Sequence, residues 1–518
     1  MAPRTRTAAR VAVAPKATKR VPKAKNSTDA SATSVRSPYD GASTGRRAAT
    51  WRAPATTPNS SLYSLTTLRD RSRASVRNDG YAKGTIDKLV TEVIGTGITP
   101  LSQATDENFK RMVTAAWLQW TDESDADGLL DFYGQQTQAC RAWFEGGEVF
   151  IRLRPRLLSD HLTVPLQLQV LEPEMCPHTW DQVLTNGNRV RAGIEFDQIG
   201  RRVAYYFYAV RPGDPDTILT TDLRRIPAEN IIHLYDPLRA GQLRGLPLLT
   251  PALVRLYELD KFDDAVLIRH QLANLFVGFI KTEQGAGDTS INPLTGEASD
   301  TDTEGRPMVS LEPGTMQELD PGSEVQFAQP QDPAQTYPDF MRQQLLAVAA
   351  ATGVPYEVIT GDMSKVNDRT VRVILNAFRR RVQAWQHQIV AHQVCRRVWT
   401  TWMDRAFLSA SLPIPVDYVE NPTPYAAVKW QPQGWPYLQP VQDIEAKKAA
   451  IRAGITSRQN EVSETGEDAE LIDQQQAADN ARADRLNLRY DSDGRTAASG
   501  PKVTIVDPSA DPQVGAPA

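Results

Sequence analysis

Cysteine, histidine and long apolar runs are scarce in this chain, and each scarcity removes a class of function. The three cysteines, Cys140, Cys176 and Cys395, are odd in number, and no two form a Cys-x-x-Cys pair. That excludes a disulfide framework and a zinc quartet, and it points to a reducing compartment. No stretch reaches the roughly 18 apolar residues that read as a membrane span, so no membrane partner is expected. The basic N-terminus is not followed by an apolar run, which excludes a secretory signal there. No Gly-Lys-Ser or Gly-Lys-Thr closes a glycine-rich loop. Gly95-Thr96-Gly97 is therefore not a phosphate cradle, and ATP hydrolysis is not expected. A net charge of −4 over 518 residues excludes a uniformly basic nucleic-acid binder.

Catalytic constellations are equally thin. Gly41-Ala42-Ser43-Thr44-Gly45 matches the nucleophile-elbow pattern, but it lacks the preceding strand and following helix that hold such a serine under strain. His387, His392 and Cys395 share one helical stretch. His392 and Cys395 face one side at i, i+3, His387 does not, and no fourth ligand is near. Asp263 and Asp264 are adjacent, so on a helix they diverge by about 100° and cannot converge on a metal. No cofactor and no enzymatic activity are expected.

What is present is an architecture, with length for three or four compact units. Residues 1–61 are a basic arm expected to be disordered, with eleven Lys or Arg in the first fifty positions against Asp29 and Asp40. Residues 62–94 have helical spacing broken at Asn78-Asp79-Gly80. A helix over about 105–120 places Phe109, Met112, Val113, Trp117 and Trp120 on one face, and residues 131–142 are helical. Strand patterns fill 143–235 and predict a mainly antiparallel sheet, so the fold class is α+β. Thr250 as N-cap and Pro251 at the first helical position open a long helix running to about Ile280. A helix of that length needs a partner or a symmetric neighbour to cover its apolar stripe.

Residues 284–329 hold nine acids and one base, Arg306, in a turn-rich insertion with short strands such as Met308–Leu311. A helix returns over 336–352, Gly353-Val354-Pro355 breaks it, and a loop covers 361–369. Residues 370–407 form the strongest helix, with a heptad-like seam of Val371, Leu375, Phe378, Val382, Trp385 and Ile389. Arg379, Arg380 and Arg381 sit beside that seam, open either to solvent or to the acids of a neighbouring subunit. An extended Pro- and Trp-rich stretch, 412–440, precedes a polar helix over about 441–454. Residues 456–518 read as a polar, largely disordered tail.

Several segments, taken in order, resemble the lambda-type phage portal protein family. They are Arg71–Ala82, Val93–Pro100, Ile226–Leu234, the run Arg239-Ala240-Gly241-Gln242-Leu243-Arg244-Gly245-Leu246-Pro247, Leu319–Gly322, Gly353–Glu357 and Ile455–Arg458. The Arg-x-Gly-Gln-x-Arg-Gly run is the most specific of them, and the resemblance spans about residues 62–490. After Gly361-Asp362 the family tends to read Asn-Tyr-Ser-Ser-x-Arg. Here Asn367 and Arg372 keep their places, while Asp368-Arg369-Thr370-Val371 differ.

The resemblance implies a portal-type, ring-forming α+β subunit. It would have a mixed α/β wing (62–245), a stem helix (246–283), an acidic α/β clip (284–335) and a second stem helix with a channel loop (336–369). A long helix of wing and crown (370–455) would follow. It implies a dodecameric ring at one capsid vertex that passes double-stranded DNA during packaging and ejection. The implied partners are the terminase large subunit, the major capsid and scaffold proteins and a head–tail connector. The implied location is the virion, with host cytoplasm during assembly. Lys365 and Arg369 are the residues expected to touch DNA transiently in the channel. The alternatives are a capsid adaptor or scaffold without a channel, and a DNA-processing enzyme subunit.

Overall fold

A computed structural model describes residues 50, 54–213, 222–274, 278–282, 323–327, 337–436, 439–490 and 495. Contacts divide the chain into Met1–Thr57 and Pro58–Ala518. Among the described residues, every helix and strand lies in the second unit.

The elements run α1 Leu65–Asn78, α2 Gly80–Val93, β1 Thr99–Ser102, α3 Glu107–Glu123, α4 Phe132–Gly146, β2 Glu148–Pro155, β3 Leu166–Leu171, β4 Gln182–Val183, β5 Arg189–Arg191, β6 Ile194–Phe196, β7 Arg202–Tyr208, β8 Leu223–Pro227 and β9 Ile231–Tyr235. They continue with α5 Leu253–Asn274, β10 Gly278–Thr282, β11 Ser323–Phe327, α6 Tyr337–Thr352, α7 Tyr356–Thr360 and α8 Asp368–Ala384. A π-helical segment, Trp385–Cys395, joins α8 to α9 Arg396–Leu408. Then come α10 Thr423–Ala426, β12 Val428–Gln431, α11 Pro440–Arg452, α12 Arg458–Glu464 and α13 Ala469–Leu486. The mixed α+β class agrees with the sequence reading.

Local chemistry explains many boundaries. Asp79 separates α1 from α2 and caps α2, its carboxylate accepting from the N–H groups of Tyr81 and Ala82. Asp131 caps α4 by accepting from Gly134 N–H. In α3, Phe109, Val113, Trp117 and Trp120 are buried at i, i+4, i+8 and i+11. Met112 falls off that stripe and is exposed, contrary to the sequence expectation.

The strands form two principal sheets. β3-β2-β9 is a three-stranded antiparallel sheet, and β4 to β8 form a five-stranded antiparallel meander. Val149, Ile151 and Leu153 face the main core with Leu166, Leu168, Ile232 and Leu234. The alternate residue Phe150 enters a smaller core with Cys176, Ile194, Tyr205, Phe207, Ile226 and Ile231. β1 pairs with β12 in antiparallel register, Thr99 opposite Gln431, joining the early and late parts of the chain.

The main core is dense in tryptophan. Trp117, Trp120, Trp399 and Trp402 lie within ring contact of one another or of Phe132, and each is at most 2% exposed. Trp120 Nε1 donates to Leu166 O at 2.8 Å, and Trp399 Nε1 donates to Ala426 O at 2.9 Å.

Four further sequence expectations are corrected. The long helix does not reach Ile280: α5 ends at Asn274, and Gly278–Thr282 pairs with Ser323–Phe327, Gly278 opposite Phe327. Strand pairing there outweighs a helical pattern already weakened by glycine. Thr250 does not cap α5. Its hydroxyl donates to Pro247 O at 2.7 Å, inside a turn that precedes the helix. The heptad-like seam is buried only from Phe378 onward, whereas Val371 and Leu375 are half-buried. A buried row recurs at every fourth residue from Phe378 and Val382 through Gln386, Val390, Val394, Val398, Trp402 and Ala406. Finally, residues 458–464 and 469–486 are helices packed on the rest of the chain, more ordered than the largely disordered tail expected from their polarity. Lys110 Nζ pairs with Glu470 at 2.7 Å, and Gln431 Nε2 donates to Ser463 Oγ and Glu467 O. Residues 1–49, Met308–Leu311 and the last residues of the chain lie outside the described residues.

The tryptophan cluster yields a direct test. Trp117→Ala removes the ring that touches Trp120, Phe132, Trp399 and Trp402, and is expected to cost about 3–5 kcal/mol in denaturant unfolding.

Candidate functional site

The loop singled out by sequence runs between α7 and α8. Gly353, at φ +70°, ends α6 and turns the chain into Val354-Pro355. Asp362 organises the start of the loop. Its Oδ1 accepts from Ser364 N–H at 3.0 Å, while Oδ2 accepts from Tyr356 Oη at 3.2 Å and Arg342 Nη1 at 3.3 Å. The Arg342 guanidinium also lies over the Tyr356 ring. Asn367 caps α8 by accepting from Thr370 N–H at 2.9 Å, and Arg372 pairs with Asp368 one turn on, at 3.2 Å. The positions shared with the family therefore carry the cap and the first-turn ion pair.

Lys365 and Arg369 differ in their surroundings. Lys365 Nζ stands 3.5 Å from Asp339 on the first turn of α6, with both side chains well exposed. Arg369 is exposed on the first turn of α8 and forms no ion pair among the described residues. No hydrogen bond among the described residues brings the two together. Arg379–Arg381, left open to solvent or a neighbour's acids, in part find partners within the chain: Arg379 lies over Trp435, and Arg381 lies over Trp385 and donates to Thr352 O.

The Arg-x-Gly-Gln-x-Arg-Gly run has a different role from the loop. Arg244 is fully buried, and its Nε donates to Glu148 Oε1 at 2.6 Å. Its remaining N–H groups reach the carbonyls of Pro173, Cys176 and Ala192. Arg69 of α1 pairs with the same Oε1 and donates to Gly146 O. His233 Nε2 and Gly245 N–H meet Oε2, each at 2.8 Å. Gln242 closes the run by donating to Arg244 O, while its own carbonyl accepts from Tyr235 Oη. Asn59 brackets the run through Gly241 O and Leu243 N–H. The backbones meet so closely that a Cβ at Gly245 would lie 1.9 Å from Gly147 O.

Sequence reasoning missed Glu148, Arg69 and His233. The available signal was a carboxylate opening a strand whose first four positions are otherwise apolar. Strand alternation puts it on the face of Phe150, where only a paired charge can be buried. Burial by itself raises a carboxyl's pKa, but Arg244, Arg69 and His233 overcome it and hold Glu148 well below the usual carboxylate range. Burial depresses His233 to about 4, against the opposing pull of Glu148, so the ring is neutral near pH 7. The three thiols are buried, and burial raises the pKa of each, Cys176 to about 11. Among the described residues, no three His, Cys, Asp or Glu groups are placed to hold a metal, and no helix is long and apolar enough to cross a membrane. The ionic centre is thus a structural clamp with no reactive group aimed at solvent.

Two outcomes are expected of the clamp. Glu148→Gln leaves two buried guanidinium groups without their counter-charge, and denaturant unfolding is expected to show a loss of about 3–5 kcal/mol. His233, depressed in the folded state, contributes stability that is full above its unfolded value near 6.5 and is lost as pH falls toward 4, at about 1.4 kcal/mol per pH unit at most. The depressed Glu148 extends that loss below about pH 4.3. His233→Gln is expected to flatten the pH dependence between 4 and 6.5. The slope that remains belongs to half-buried His178, which burial also depresses to about 4.

The family model described as "Phage portal protein, lambda family" matches residues 44–386. The chain is 26% identical over 439 residues to the "Probable portal protein" of Halomonas phage phiHAP-1, covering 82% of this chain and 81% of that protein. It is 20% identical over 476 residues to "Portal protein B" of Escherichia phage lambda, covering 84% and 87%. Among solved structures, a chain from the neck of the native GTA particle, computed with C12 symmetry, is similar with a TM-score of 0.41 and 13% identity, covering 80% of this chain and 97% of that one. With the family match extending over most of its length, the chain belongs to the lambda family of phage portal proteins.

Proposed function

We propose that this portal protein works as one subunit of a closed homo-oligomeric ring, a dodecamer, set at one capsid vertex of the virion. The ring's channel passes double-stranded DNA during packaging and ejection, and its rim docks the terminase large subunit, the capsid and scaffold proteins and the head–tail connector. Its task is mechanical, with no bond made or broken by the chain. In this reading α5 and α6 are the stem, residues 284–335 the clip, the two sheets part of the wing, and the α8–α9 helix the link from wing to crown.

The observation that carries the reading is α5, which leaves large apolar side chains exposed on the face opposite its buried one. Ala252, Leu256 and Leu259 are buried on one face. Phe262 packs on Tyr337 and Phe340 of α6, and Tyr337 Oη donates to Asp263. The opposite face, at helical spacing, presents Val254, Tyr257, Lys261, Ala265 and Ile268, with Lys261 Nζ over the Tyr257 ring. Val254 is 71% exposed and Ile268 is 55% exposed. A surface helix normally turns its second face to water through charges, and large apolar side chains left exposed around a single lysine call for a covering partner. In a ring, head-to-tail contacts between copies supply that cover, and the rotation closes.

DNA must slide through such a channel, so phosphate contacts have to be few. Lys365, partly neutralised by Asp339, and Arg369, without an ion pair among the described residues, fit a sparse, transient set.

Negative-stain microscopy of the purified chain is expected to show rings with a central opening wide enough for a duplex. Compact monomers at high concentration would refute the reading. Ile268→Glu on the uncovered face of α5 is expected to shift particle mass toward monomer while leaving the circular dichroism spectrum unchanged. Lys365→Ala with Arg369→Ala is expected to keep the rings and to alter DNA packaging or retention. Unchanged packaging removes the role assigned to those two residues.

A further inference from the structure

Strand β2 leaves the core carrying a row of arginines. Phe150, Arg152 and Arg154 alternate onto one face of the strand, while Ile151 and Leu153 take the other. Phe150 is covered by the five-stranded sheet, through Tyr205 and Phe207. Arg152 and Arg154 are only half-buried. Arg156, just past the strand, reaches the same face, since its Nε donates to Gln167, the residue opposite Arg154.

Arg224 of β8 stands opposite Phe207, whose ring packs on Phe150 of β2, and completes the cluster. Burial first, then the charges of Arg154 and Arg224, lower the pKa of Arg152, so these guanidinium groups repel one another. None of Arg152, Arg154, Arg156 and Arg224 forms an ion pair among the described residues. The carboxylates nearest to Gln167 are already engaged. Glu123 accepts from Thr163, and Asp125 accepts from the N–H groups of Asp127, Leu129 and Leu130 and from Gln135.

We propose that Arg152, Arg154 and Arg224 form a second, sequence-independent binding surface for the phosphate backbone of nucleic acid, on the sheet and separate from the 361–372 loop. Charge favours a polyanion, since these guanidinium groups have no ion-pair partner among the described residues, and guanidinium forks bind phosphate oxygens with two parallel hydrogen bonds. The inference does not rest on the channel reading, because it concerns a different surface and is tested on different residues.

The test is fluorescence anisotropy of the full-length, assembled protein with a mixed-sequence duplex of about 30 base pairs, across a salt series. Arg154→Gln with Arg224→Gln is expected to weaken binding at least about tenfold at low salt and to reduce the slope of log K against log salt by about 2. Arg154→Lys with Arg224→Lys is expected to retain most of that slope, since the charges remain. Lys365→Ala with Arg369→Ala is expected to leave this difference intact. An unchanged affinity and slope in the Gln variant overturns the proposal. So does a Gln variant that loses binding to poly-L-glutamate but keeps the duplex, which would reassign the surface to an acidic protein. Dissociation of the assembly by the same substitutions, without loss of duplex affinity per chain, would make it a subunit interface and overturns it as well.

Discussion

The carboxylate of Glu148 is the constraint on which the sheet region depends. One buried anion receives Arg69 from α1, Arg244 from the segment before α5, His233 from β9 and the backbone N–H of Gly245. Taking these charges out of water is costly, and the cost is offset only when every donor finds its acceptor in correct geometry. The centre therefore acts more as a device for uniqueness than as a source of net stability. A register slip in β2 would turn Glu148 toward the apolar core and strand both arginines. The family-like run around Arg244 is best understood this way. Gln242 and Tyr235 fix its backbone, and Gly147 and Gly245 allow two chain segments to touch where any side chain would collide.

The clamp has a mechanical consequence for the reading as a DNA conduit. It ties the segment that leads into α5 to α1, β2 and β9. The base of the long helix is thereby anchored in a cooperative, charge-paired unit, while the helix beyond it leaves large apolar side chains exposed. The long helix from α8 to α9 is anchored as well. A row of buried residues at every fourth position, from Phe378 to Ala406, runs against the core along three successive stretches of helix.

Much of the fold was legible from local signals. The break at Asn78-Asp79-Gly80, the strand patterns over 143–235 and the break at Gly353-Val354-Pro355 all depend on residues within a few positions of one another. The errors arose where a distant partner decided the outcome. Gly278–Thr282 has a helical pattern, but β11 claims it as a strand. Met112 is apolar and close to a buried stripe, but it is left exposed. Residues 458–486 are polar enough to read as a tail, yet Lys110 and Gln431 hold them in place. At the channel loop the residue types were legible, but the pairing of Lys365 with Asp339 was not, since it joins two segments across an intervening break.

By itself the sequence determined the α+β class, the order of most elements, the lack of a phosphate loop or nucleophile elbow in a workable context, and the family, through short motifs whose order survives low overall identity. Those features live in local periodicity and in residue type. Only the tertiary structure decided that the most specific of those motifs is a buried clamp, and that α5 leaves Val254, Tyr257 and Ile268 exposed on its outer face among the described residues. It also decided that a set of arginines converges on one sheet face, with no counter-charge among those residues. Each of these depends on which segments approach one another in space, and on how much water remains between them. Burial sets the strength of charge and the cost of leaving it unpaired, and no single stretch of chain specifies its own burial.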